Sequence, residues 1–202
     1  MKVLLGISGA SGAAYGVRTL SLLLARGADL HVLVTNTAWG ILAAEVWDGK
    51  LPAGMAARRK GLARLSSSAR PFRLYAEDDF GIPFASGSNA PDAMIVAPCS
   101  MGTLGRIAHG VSSSVLTRCA DVALKERKPL VLVTRETPLS VIHLENMLTL
   151  ARAGAHVLPA CPGFYHRPET VSGLVDFVVS RALSCIGVDA GVLPRWGEGK
   201  EE

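Results

Sequence analysis

Short runs of unbroken apolar residues alternate along the chain with longer stretches in which apolar positions recur every three or four residues. The first run, Lys2–Ser8 (KVLLGIS), predicts a buried strand, and Tyr15–Arg26 a helix with Leu20, Leu23 and Leu24 turned inward. Leu30–Thr35 (LHVLVT) predicts a second strand, followed by helical periodicity over Ala38–Val46. The pattern is least regular over Trp47–Arg73, where Pro52, Gly54, a basic RRK and a run of serines point to an excursion over the surface. It then resumes: strands at Ala93–Ala97, Leu130–Thr134 and His156–Leu158, and helices beginning at Thr103 and covering Ser114–Glu126, Leu139–Arg152 and Val171–Ile186. Strands that lack polar alternation and are separated by helices belong to a parallel sheet covered on both faces. The expected fold is therefore a single α/β domain over residues 1–202, a doubly wound parallel sheet. In such a sheet, ligands bind beyond the carboxyl ends of the strands.

Composition narrows the class. At 202 residues and 21.2 kDa, with 49% hydrophobic and 19% charged residues and a mean hydropathy of +0.31, the chain is globular and not disordered. The net charge of +4 is too small to call for a nucleic-acid partner. The basic residues are, however, fifteen Arg to six Lys, and the planar guanidinium fork suits anionic small molecules. Cys99, Cys119, Cys161 and Cys185 are widely spaced, lack zinc spacing and read as buried reduced thiols. No run of about 18 apolar residues is present, and the apolar stretch Val3–Leu5 is too short for a signal peptide. A cytoplasmic protein with no membrane partner is expected.

The chemistry-bearing residues follow the strands. After the first comes Gly6-Ile7-Ser8-Gly9-Ala10-Ser11-Gly12, whose glycines permit a tight turn and close backbone approach before a helix N-terminus that favours an anion. Its spacing is not that of a dinucleotide fingerprint, and Thr35-Asn36-Thr37 stands where a ribose-binding acid would follow the second strand. Taken alone, this loop reads equally well as an ordinary strand-to-helix turn. After Ala97, Pro98-Cys99-Ser100-Met101-Gly102-Thr103 offers a second small-residue turn, either a phosphate seat or simple helix capping. Two such loops fit a flavin mononucleotide better than NAD. Arg135-Glu136, beyond the strand Leu130–Thr134, is a candidate phosphate ligand beside a general acid. Tyr165 could donate to an anion. His166 reads as solvent-facing, Arg181 as a snorkelling cation or a phosphate ligand, and Lys125 as a solvated helix end or a further cation.

The blocks GASGAAYGVR, ASGS at 85–88, PCSMGTL, ADVALKERKPLVLVTRETPLS, HLENML, PGFYHRP and LPRW occur in this order. Together they make the chain resemble the UbiX-type flavin prenyltransferases over nearly its whole length, with residues 50–75 the poorest match. The resemblance implies a Rossmann-like flavoprotein fold, a homododecamer, and metal-independent transfer of a dimethylallyl group from dimethylallyl phosphate to reduced FMN. The product, prenylated FMN, would serve a UbiD-type decarboxylase. Carried over by position, it implies a flavin site of Gly9, Ala10, Ser11, Thr35, Ser100, Met101, Gly102, Thr103 and Arg135. It implies a prenyl phosphate site of Lys125, Glu136, Tyr165 and Arg181 with Arg118 nearby, and catalytic roles for Glu136, Lys125, Ser11 and Glu45. Trp196 would form an aromatic wall, and Phe80 stands where the family often has Trp. The tail 188–202 would pack at subunit contacts.

These residue types suit the reaction: cations stabilise the departing phosphate, Glu136 can protonate it, and aromatic faces stabilise positive character on the allyl carbon. Two alternatives remain. A related FMN-dependent cysteine decarboxylase would need a histidine near the first helix, whereas His31 sits before the second strand. A non-catalytic flavin-binding module would leave Lys125, Glu136, Tyr165 and Arg181 without a purpose.

Overall fold

The computed structural model describes residues 1–193. One six-stranded sheet runs through it, formed by β1 (Lys2–Ile7), β2 (Asp29–Val34), β3 (Arg73–Tyr75), β4 (Ala93–Cys99), β5 (Leu130–Thr134) and β6 (His156–Pro159). All neighbouring pairs are parallel, in the order β3-β2-β1-β4-β5-β6. The helices are α1 (Ala13–Ala25), α2 (Asn36–Val46), α3 (Gly54–Leu65), α4 (Met101–Ala108), α5 (Val115–Lys125), α6 (Val141–Arg152) and α7 (Val171–Ser184).

Each apolar strand is buried on both sides, and successive residues supply two separate cores. Val3, Leu5, Ile7, Val32, Val34, Ile95 and Val131 face the layer of α1, α2 and α7, while Leu4, Leu33, Met94, Val96, Leu130 and Leu132 face that of α4, α5 and α6. The helices begin where hydroxyl side chains accept from first-turn amides: Thr35 for α2, Ser100 for α4, Ser114 for α5, Ser140 for α6 and Thr170 for α7. An ion pair of Arg18 with Asp176 (2.5 Å) ties α1 to α7.

The segment Trp47–Arg73 is not an irregular excursion. It contains α3, and at its end β3 adds a sixth strand beside β2. Two apolar anchors explain this: Leu62 and Phe72 enter the first core, and Arg58 lies over the Trp39 ring at 4.9 Å. Among the described residues, no helix is long and apolar enough to cross a membrane.

Strand order reverses between β1 and β4, so the crevice outside their carboxyl ends is the place where a fold of this topology receives a ligand.

Candidate functional site

Two turns meet at that crevice, and a residue the sequence reading passed over joins them. Ser8, 1% exposed, donates its hydroxyl to Pro98 O (2.9 Å) and accepts from the Ser100 amide (2.8 Å). Its own amide also donates to Pro98 O (3.1 Å). The only trace of this role in the sequence is a polar residue closing an otherwise apolar strand.

In the first turn, Gly12 adopts φ +106°, where a side chain would be strained. Gly9 lies against Thr37: an added Cβ would collide with that hydroxyl and sit 2.7 Å from Thr37 Cβ. Thr35 accepts from Ala38 N (3.2 Å) and shares a hydrogen bond with Thr37 (3.1 Å). The amides of Gly9 and Ser11 have no partner among the described residues. Two of the amides at the start of α1 already have an anionic partner from within the chain. The Glu45 carboxylate accepts from Gly12 N (3.0 and 3.2 Å) and Ala13 N (2.7 Å), placing a negative charge at the positive end of α1.

The second turn differs. Ser100 caps α4, accepting from Thr103 N (3.3 Å) and donating to Thr103 Oγ1 (3.1 Å). The amides of Met101 and Gly102 have no partner among the described residues. Cys99, at the end of β4, is no nucleophile: burial pushes its thiol up to about 12.

Arg135 reaches back across the crevice, its Nε donating to Ser11 O (3.0 Å). Glu136 is exposed beside it and accepts from Thr137 N (3.1 Å). The two do not pair with each other among the described residues. Phe80 is 51% exposed in the turn after β3, also at the carboxyl edge. In the same region Glu77, unremarked in the sequence because β3 was not recognised, accepts from Asn36 N at the start of α2 (2.6 Å). Burial raises Tyr15, whose ring lies over Gly12, and the Cys161 thiolate charge adds to the effect.

Other expected residues lie elsewhere in the protomer. Tyr165 and Arg181 line a cleft of about 420 Å³ on the outward side of α7, together with Phe177, Ser180 and Ser184. Tyr165 packs edge-on against both His166 and Phe177 (5.7 Å each). His166 is not solvent-facing: it stacks on Phe177 at 5.4 Å, with both ring nitrogens buried and without a hydrogen-bond partner among the described residues. Lys125 ends α5, near the amino end of β5, and pairs with Glu126 (2.5 Å). Arg118 donates to Ala85 O (2.9 Å) and pairs with Asp121 (2.9 Å). Thus one protomer gathers Gly9–Ser11, Thr35, Ser100–Thr103, Arg135, Glu136 and Glu45 at the crevice, but not Lys125, Tyr165 or Arg181. Trp196 lies outside the described residues. The thiols also divide: Cys99 and Cys119 are buried, Cys185 is half-buried and Cys161 is exposed.

Comparison with known proteins gives a consistent result. The chain matches the Flavoprotein family over residues 1–183. It is 48% identical to a flavin prenyltransferase UbiX of Pseudomonas aeruginosa, covering 98% of this chain and 94% of that protein. Its fold is similar to that of AnUbiX solved in complex with FMN and dimethylallyl pyrophosphate, with a TM-score of 0.85 and 36% identity over 96% of each chain. It is also similar to a dodecameric FMN-dependent UbiX-like decarboxylase of Escherichia coli O157:H7, with a TM-score of 0.84 and 38% identity over 97% of this chain and 99% of that one.

Proposed function

The chain belongs to the Flavoprotein family and, within it, to the UbiX-type flavin prenyltransferases, and on that premise we propose that it transfers a dimethylallyl group from dimethylallyl phosphate to reduced FMN. One observation carries the reading to this chain's own residues. Ser8 clamps together a glycine-bare turn and a helix start with free amides, which is a seat for a ring and a phosphate joined by a short linker. Gly9–Ser11 carry only small side chains and would let a planar ring lie close to their backbone, and the Thr103 hydroxyl and the amides of Met101 and Gly102 would supply donors to an oxyanion. Nothing in Thr35-Asn36-Thr37 offers an acid to a second ribose.

Reduced FMN, when bound, supplies the nucleophile that accepts the prenyl group. This chain's residues do the rest. Arg135 stands at the crevice to stabilise charge on the departing phosphate, and Glu136, exposed beside it, is positioned to hand a proton to a phosphate oxygen. Glu45 fixes the turn that carries Ser11 by holding Gly12 N and Ala13 N, and the Ser11 hydroxyl and this carboxylate would relay the proton that the flavin gives up when its second bond to the prenyl group forms. The Phe80 face offers its quadrupole to the allylic carbon as the carbon–oxygen bond breaks.

Assembly completes the site. Arg181 on α7 and Tyr165 in the turn before it face outward, and α6 exposes Val141 (69%), Ile142 (67%), Leu144 and Leu148, more apolar surface than a lone protomer keeps in water. A homododecamer in which neighbouring copies bring Tyr165, Arg181 and Lys125 to the crevice fits both features, and the dodecameric relative supports it. The product serves a decarboxylase of the UbiD type. The cysteine-decarboxylase alternative calls for a histidine near α1, and His31 instead lies in the amino-terminal half of β2, bound to Tyr75 and packed on Phe84. Anaerobic incubation with reduced FMN and dimethylallyl phosphate, followed by mass analysis of the flavin, should show one added dimethylallyl group. An unchanged flavin would refute the proposal.

A further inference from the structure

The positive charge of this protein is concentrated in one segment. Residues 49–76 hold seven basic residues and no acidic one, which leaves fourteen basic against seventeen acidic residues elsewhere, a net charge of −3 on the rest of the chain. This is the segment that builds α3 and β3, and its basic residues divide by what they do in the fold. Arg58 is turned inward, over the Trp39 ring and donating to Pro52 O (3.2 Å), and Arg73 lies 3.6 Å from Asp29. Lys50, Arg59, Lys60, Arg64 and Arg70 are exposed and form no ion pair among the described residues.

Helical spacing explains the division within α3. Leu62 is fully buried in the first core, and Lys60 and Arg64, four residues apart, share the face turned away from it. A cleft of about 460 Å³ opens between the end of α2 and α3, lined by half-buried Trp47, Pro52, Ala57 and Leu65 and by the exposed Lys60 and Arg64. Leu51, next to Pro52 in the chain, is 39% exposed.

The occupant that fits has to be anionic and apolar at once. An acidic protein face would answer the cations and leave the apolar lining wet. A nucleic-acid strand would also need ring faces on which to stack its bases, and the rings here are taken: Trp47 stacks on Trp39 at 6.3 Å, and Arg58 covers Trp39. A bilayer with anionic headgroups offers phosphates and acyl chains together, and a cluster of roughly four to eight cations on a surface helix is what such a bilayer attracts.

We propose that α3, with the cleft beside it, docks this protein onto the surface of an anionic phospholipid bilayer. No membrane partner was expected from the sequence because no segment spans a membrane, but a helix lying on the surface crosses nothing. The contact makes no use of the flavin crevice, so it stands or falls independently of the reaction proposed above.

Co-sedimentation of the intact protein with vesicles is the test, using phosphatidylglycerol mixed into phosphatidylcholine against phosphatidylcholine alone. The wild type should bind the anionic vesicles only, and added salt should release it. Each Lys or Arg near such a surface contributes about fivefold to partition, so Lys60→Gln/Arg64→Gln should bind about 25-fold more weakly. Leu51→Ser should weaken binding as well. Lys128→Gln/Arg152→Gln removes the same charge after α5 and at the end of α6, in the other helix layer, and should stay within about twofold of wild type. Thermal melts check folding, and prenyl transfer in solution should be unchanged in all these variants. Equal binding to both vesicles, binding to neither, or wild-type binding by the Lys60/Arg64 double variant would overturn the proposal. Binding of polyuridylate without binding of vesicles would overturn it in favour of a nucleic acid. The comparison of the two vesicles with and without salt uses wild type alone, so it decides the matter even if a variant fails to fold.

Discussion

Replacing Ser8 by alanine separates the two turns of the crevice without touching anything a ligand would contact. The hydroxyl makes two hydrogen bonds, to Pro98 O at 2.9 Å and from Ser100 N at 2.8 Å, in a position 1% exposed. Their loss is unequal. Pro98 O keeps the backbone amide of Ser8 at 3.1 Å, so it remains satisfied. Ser100 N has no other acceptor among the described residues, and alanine leaves it orphaned in a half-buried place. An unsatisfied donor costs about 1–3 kcal/mol and a lost ordinary bond about 1 kcal/mol; with Ser100 only partly buried, the total comes to about 2 kcal/mol. For a chain of this length that lowers the melting temperature by about 4–8 °C. Urea unfolding of FMN-free protein at matched protein concentration measures the stability, and FMN titration measures the site. Ser8→Ala should weaken FMN binding as well, because the start of α4 loses its tether to β1. Ser21→Ala is the control: its hydroxyl donates to Ser66 O (2.8 Å) far from the crevice, so it should lower stability by about 1 kcal/mol and leave FMN affinity alone. A Ser8→Ala protein within about 0.5 kcal/mol of wild type and with unaltered FMN affinity would refute the account of the clamp.

Three further outcomes follow from the geometry. Glu136→Gln should slow prenyl transfer by roughly 10²–10⁴-fold with FMN still bound, since its carboxylate supports only Thr137 N and no flavin-facing turn; an unchanged rate would remove it from proton transfer. His31 is buried, and that burial lowers its proton affinity against the pull of Asp29, with Arg73 and Lys2 lowering it further. The unfolded chain therefore takes up a proton first, and stability, full at neutral pH, should fall as the pH drops below about 6.5; His31→Gln should flatten that slope in urea melts at pH 7.5 and about 5.5. Deletion of the tail must begin after Leu193, because Ala190 is buried at 4% exposure and accepts from Arg26 (2.7 Å), so cutting at 188 would damage the core itself. Removing residues 194–202 should lower prenyl transfer about tenfold, the scale of a lost cation–π contact in a dry site, and spare FMN binding; full-rate turnover would make the tail mere packing.

Periodicity alone was enough to recover β1, β2, β4, β5 and β6 and the helices between them. β1, β2, β4 and β5 are buried on both faces along nearly their whole length, so they must be apolar, and that signal is local in the chain; β6, half-buried at the sheet edge, still shows as a short apolar run. The loops after β1 and β4 were legible for the same reason, because small residues between a strand and a helix have few other uses. β3 and α3 were hidden because they are held by a few long-range anchors. Leu62, Phe72 and the Arg58–Trp39 contact mean nothing until the partners are in place, and β3 has just three residues, of which one is exposed. The site shows the same division. Residue types at Ser100–Thr103 and Arg135-Glu136 announce anion chemistry from sequence, but which helix start is open and which is taken depends on carboxylates thirty to forty residues away. Glu45 closes α1 from the end of α2, and Glu77 closes α2 from beyond β3. Likewise, the family resemblance implies one cluster of Tyr165, Arg181 and Lys125, whereas the chain's path sets Tyr165 before α7, Arg181 on it and Lys125 at the far end of α5. Chemistry is carried by side chains, and side chains meet through backbone geometry, which a one-dimensional pattern records only within a single element.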